Sequence, residues 1–93
     1  MRDYLLKSLL VIALLFLGNT TVFSQEKKLQ KAKEQFERYQ YIDAQQTYLK
    51  VVKKGYKSAE LFMNLGDSYY FNSQFTEALK WYEQLINSYP EEV

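Results

Sequence analysis

The chain has 93 residues, 47% of them hydrophobic and 25% charged, with one proline, three glycines and neither cysteine nor histidine, a size that fits one small domain. Without histidine and cysteine it lacks the commonest general base, the thiolate nucleophile and the soft metal ligands, which excludes triads, cysteine proteases and zinc sites and leaves only carboxylate sites for hard cations. Twelve Lys and Arg against eleven Asp and Glu give a net charge of +1, too little to hold nucleic acid or an anionic membrane.

The first element is a leader. Arg2 and Lys7 precede an unbroken apolar run from Leu9 to Leu17, which Gly18, Asn19, Thr20 and Thr21 follow. This is the layout of a signal peptide, and the run is well short of the roughly 20 apolar residues that a spanning helix needs. Val22, Phe23 and Ser24 suit cleavage before Gln25, giving a signal peptide over 1–24; retention as an uncleaved membrane anchor is the alternative, and both export the rest. No cysteine follows the run to carry a lipid. The Asn19-Thr20-Thr21 sequon lies in the segment to be removed. An exported chain without cysteine has no disulfide and relies on packing alone.

Beyond the leader the sequence matches itself at an offset of 34 residues. Ala32 aligns with Gly66, Phe36 with Tyr70, Tyr41 with Phe75, Asp43 with Glu77, Ala44 with Ala78, Tyr48 with Tyr82, Val51 with Leu85 and Val52 with Ile86. A fixed period in this range indicates stacked helical or solenoid units, here 25–58 and 59–92. In the first unit the pattern predicts helices near 26–39 and 42–54, with Leu29, Ala32, Phe36 and Tyr39 as the apolar stripe of the first and Gly55 as the stop after the second. In the second unit Ser58 caps a helix with Glu60 in its opening turn, and Phe62, Leu65, Gly66 and Tyr69 share one face. Asn72 and Ser73 supply the break. A fourth helix carries Ala78, Leu79, Tyr82, Leu85, Ile86 and Tyr89 on one face and ends at Pro90.

Residues 59–92 resemble the tetratricopeptide repeat (TPR) family: Phe62, Leu65-Gly66, Tyr69, Ala78, Tyr82, Leu85 and Pro90 stand at its signature positions. Residues 25–58 match less fully. Ala32, Ala44, Tyr48 and Val51 fit, but Lys28, Lys31 and Gln35 replace Phe62, Leu65 and Tyr69, and Tyr56 replaces the proline. The first unit is therefore either a decayed repeat or an end cap with a polar outer face. The resemblance implies an all-α fold of two helix-turn-helix hairpins, an α-solenoid fragment, with Gly66 and Ala78 packed against each other where the helices of one hairpin cross. It also implies a concave groove for a peptide or partner helix, lined by Leu29, Lys33 and Phe36 of the first unit and Met63, Asn64, Asp67, Tyr70 and Phe71 of the second. Core packing is the competing expectation for Phe36 and Phe71, whereas the hydroxyl of Tyr70 favours exposure. The family's clamp for a C-terminal carboxylate uses lysine and asparagine; Leu29, Lys33, Met63 and Asp67 occupy those places, so that clamp is not expected.

Charge divides by unit. Residues 25–58 hold nine basic and four acidic residues, a net of +5, and residues 59–93 hold one basic and six acidic, a net of −5. Lys50, Lys53, Lys54 and Lys57 cluster at the end of the second helix, either as a solvated, dipole-complementing cap or as a patch selecting an acidic partner. Nucleic acid is not an expected partner, since no reading motif accompanies the basic residues. No phosphate loop or EF-hand spacing is present, and catalytic, cofactor and metal residues are all expected to be none.

Two repeats are fewer than the three or so that such arrays need, and the sequence stops one residue into a third period. Leu85, Ile86 and Tyr89 are then expected at an uncovered end through which the chain self-associates, and the chain reads as the N-terminal piece of a longer protein, with a small free-standing two-repeat protein as the alternative. Leader and repeats together resemble the start of Bacteroidota envelope proteins in which TPRs precede a β-propeller and a peptidoglycan-binding domain of the outer-membrane protein A type, some of them in type IX secretion. That resemblance implies a non-enzymatic scaffold binding a protein or peptide, exported to the periplasm or outer membrane, with membrane contact only through the leader or downstream domains. The alternative is a docking module of an exported enzyme whose catalytic domain lies beyond residue 93.

Overall fold

A computed structural model describes residues 23–93. These residues form α1 over 23–37, α2 Tyr41–Lys53, α3 Ala59–Phe71 and α4 Phe75–Ser88, closed by a short 3-10 turn, Pro90–Glu92. The described chain is all-α. Residues 1–22 of the expected leader lie outside the described residues; Phe23 and Ser24 are helical and exposed, so the expected junction before Gln25 falls within α1.

The turns within the two hairpins repeat one backbone design. Tyr39 and Ser73, 34 positions apart, both take left-handed conformations, with φ of +64° and +62°. Gln40 N–H donates to the Gln35 carbonyl at 2.9 Å and Tyr39 N–H to that of Phe36 at 3.0 Å; Gln74 N–H donates to Tyr69 and Ser73 N–H to Tyr70, both at 2.9 Å. This crossed pair of bonds closes a helix C-terminus by satisfying carbonyls that the helix leaves free. Gln40 (φ −90°, ψ 66°) and Gln74 (φ −96°, ψ 69°) then launch α2 and α4 with nearly equal geometry. Neither uses a side-chain cap, so Asp43 and Glu77 in the first turns supply the favourable charge instead. A left-handed residue other than glycine costs about 1–2 kcal/mol, a cost that the paired bonds offset. The turn also corrects the expected stripe of α1: the helix ends at 37 rather than 39, and Tyr39 swings out to 80% exposure.

Between the hairpins the stops are those expected. Gly55 at φ +93° ends α2, and Ser58, in extended conformation, accepts from the Leu61 N–H at 3.0 Å to cap α3. Pro90 follows the last turn of α4, where Tyr89 N–H still reaches the Leu85 carbonyl at 2.8 Å.

Helix α3 packs against both α2 and α4. Ala32, Ala44, Tyr48, Val51, Leu61 and Leu65 make one buried cluster spanning α1, α2 and α3, with Leu29, Phe36, Tyr69 and Trp81 packed on it. Gln45 is also buried there, its Nε2 donating to the Ser68 carbonyl at 3.1 Å and to Gln74 Oε1 at 2.7 Å. Three expectations about the second hairpin need correction. The three atoms nearest a Cβ on Gly66 would all belong to the Tyr82 ring, Cδ1 at 2.7 Å, so the small residue makes room first for that ring. Leu85 is buried, and Tyr89 is half-buried with its ring 6.0 Å from Phe62, so neither stands at an open end. Leu79, expected on the packed face of α4, is instead exposed together with Phe75, and Ile86 is exposed as its place at the uncovered end predicts.

Candidate partner-binding groove

The helical period puts Lys33, Phe36 and Glu37 on one face of α1 and Glu60, Asn64 and Asp67 on one face of α3. The fold turns these two faces toward each other across Tyr48 of α2, and the seven residues line a cleft of about 150 Å³. A smaller recess of about 40 Å³, lined by Leu29, Ser58 and Leu61, shares Lys33, Glu60 and Asn64 with it. Lys33 Nζ lies 2.6 Å from Glu60 Oε1 and bridges α1 to α3. The hydroxyl of Tyr82 donates to Asp67 Oδ1 at 2.5 Å, tying that carboxylate to α4 and fixing its direction.

The electrostatics of the cleft are those of excess negative charge. Tyr48 is almost wholly buried, and burial, followed by the carboxylates of Glu60, Asp67 and Glu37, pushes its hydroxyl up to about 12, against an opposing hydrogen bond with Asn64. The hydrogen bond and charge of Lys33 hold the Glu60 carboxyl below its usual range. Burial and the Asp67 carboxylate raise the Tyr82 hydroxyl well above the ordinary phenol value. A lone lysine thus faces three carboxylates, and it is already paired.

Of the expected groove residues, Lys33, Phe36, Asn64 and Asp67 come together in the cleft and Leu29 lines the adjoining recess. Met63, Tyr70 and Phe71 do not line either space. Met63 is exposed, while Phe71 joins Phe36 edge to face at 5.6 Å and stacks on Tyr41 at 5.8 Å. Tyr70 continues this aromatic run, 5.5 Å from Phe71 and 5.4 Å from Phe75. Phe71 is 55% exposed, as open as Tyr70 at 51%, and so is not the core residue that its spacing suggested.

No family model, curated protein or solved structure matches this chain. Its own geometry therefore carries the functional reading. Glu37, Tyr48 and Glu60 are cleft residues absent from the expected groove. The spacing held a signal for two of them, since Glu37 follows Lys33 by four positions and Glu60 precedes Asn64 by four. Tyr48 gave none: it belongs to the apolar pattern of α2, and only the fold shows its ring at the floor. Lys50, Lys53, Lys54 and Lys57 are exposed and lie outside the cleft lining. Among the described residues no group of three or more Asp and Glu is placed to hold a metal ion, and no helix is long and apolar enough to cross a membrane.

Proposed function

We propose that this chain is a TPR-type protein-interaction module of an exported cell-envelope scaffold, and that the cleft between α1 and α3 receives a segment of its partner. The observation that carries this reading is the recurrence of the hairpin turn at 34 residues, in dihedral angles and hydrogen bonds alike. Helices α1 and α3 are thereby equivalent first helices of two stacked units, and equivalent helices side by side make the inner surface of a solenoid. The cleft opens on that surface, with polar groups converging over an aromatic floor. The leader-like sequence before residue 25 supports export, and the likeness to envelope proteins of Bacteroidota supports a place between outer membrane and cell wall, with secretion or envelope assembly as the process served.

The test is site-specific photo-crosslinking in cells of the source organism. A crosslinker at Asn64 should yield a discrete adduct with a second protein in the envelope fraction, and the same group at Lys50 should not. Adducts from both positions alike, or from Lys50 only, would overturn the groove as the binding surface.

A further inference from the structure

We propose that the cleft anchors a single basic side chain, lysine or arginine, of the bound segment. This deepens the partner-binding reading above and rests on it. The volume is the first argument. At about 150 Å³ the cleft falls below the roughly 300–1,000 Å³ typical of sites for drug-sized ligands and cofactors, and it suits one long side chain. The lining is the second. An aliphatic stem entering between α1 and α3 would lie along the Phe36 ring, above the buried Tyr48, with its cationic head among Glu37, Asn64 and Asp67. Long basic side chains bury their stems in this way while keeping the charge paired, and a cation over an aromatic face gains further attraction.

Charge is the third argument. With Lys33 engaged by Glu60, the carboxylates of Glu37 and Asp67 remain uncompensated by any cleft cation, a local balance of −2. The carboxylates that disfavour the phenolate of Tyr48 would by the same field favour an added cation. Asp67 is already oriented by the Tyr82 hydroxyl, so a cation meets an acceptor that loses little freedom on binding. An acidic segment, by contrast, would bring like charge into a confined space and be disfavoured there.

The experiment titrates the isotope-labelled 93-residue protein with capped heptapeptides, Gly-Ala-Ala-X-Ala-Ala-Gly, in which X is lysine, arginine, norleucine or glutamate. The side-chain amide of Asn64 is the reporter. The lysine and arginine peptides should shift it and bind at least about fivefold more tightly than the norleucine peptide, with the preference shrinking as salt is raised. Glu37→Gln, at an exposed position, and Asp67→Asn, which keeps an acceptor for Tyr82, should each reduce that preference. Equal binding of the norleucine or glutamate peptide would overturn the basic anchor and leave a groove of other specificity, with the crosslinking at Asn64 unaffected. Shifts confined to residues outside the cleft, or none with the lysine peptide, would also overturn it.

Discussion

Gly66 shows how one atom sets the closure of the second hairpin. Alanine is favoured over glycine inside a helix by about 1 kcal/mol, yet here its Cβ would press on the Tyr82 ring, which its hydroxyl ties to Asp67. Gly66→Ala should therefore destabilise the protein by about 1–2 kcal/mol, measured by urea unfolding, and in a Tyr82→Leu background the same change should become neutral or stabilising. An equal loss in both backgrounds would show that the ring is not the cause. The need for a small residue at 66 was legible in the sequence, but its partner was not: spacing tells which face a residue occupies, and not which side chain of the opposite helix fills the gap. The same limit applies to the cleft. Lys33, Phe36, Asn64 and Asp67 were legible from their positions in the repeat, whereas Glu60 read only as a first-turn charge of α3, and Tyr48 only as part of the apolar pattern of α2.

Among the elements, the seam between α2 and α3 buries the Tyr48 hydroxyl and the Gln45 amide. Tyr48 enters it from α2 with its hydroxyl pKa pushed up to about 12 by burial, so the neutral form is favoured in the fold relative to the unfolded chain. Below about pH 10 that contribution is complete; between about pH 10 and 12 the unfolded state ionises first, and stability falls by about 1.4 kcal/mol per pH unit from this group. Tyr82 and Tyr69, also raised, act in the same direction. Followed by absorbance at 295 nm and by circular dichroism, ionisation of the most buried tyrosines should coincide with loss of helix. Titration of all tyrosines near pH 10 with the helices intact would contradict the burial described. Helix limits set by a specific residue were legible: Ser58, Gly55 and Pro90 act where their chemistry indicates. The end of α1 was displaced because Tyr39, which carries no turn signal, takes the left-handed position, and the bonds that hold it there depend on the whole hairpin.

At the scale of the molecule, the two hairpins present the same face to different fates. Tyr41, Gln45, Tyr48 and Val52 are buried or half-buried on α2; their equivalents on α4 are Phe75, Leu79, Tyr82 and Ile86, of which Phe75, Leu79 and Ile86 are more than half exposed. Such a stripe favours removal from water by about 25 cal/mol per Å². We predict concentration-dependent self-association in sedimentation, with Leu79→Lys and Ile86→Lys shifting the chain toward monomer at little cost in thermal stability. A wild-type chain that stays monomeric at high concentration would refute it. Hairpins that share one turn design also raise a problem of order, since a helix able to dock on one could dock on the other. Gln45 breaks that equivalence: its amide is satisfied by Ser68 and Gln74, while Leu79 holds the matching place on α4. In a swapped stacking Leu79 would stand in that buried place and Gln45 at the exposed one, so the two bonds of the Gln45 amide would be exchanged for water, at about 0.5–1.5 kcal/mol each. One glutamine thus gives two hairpins of like design a sense of sequence, favouring a single order of assembly.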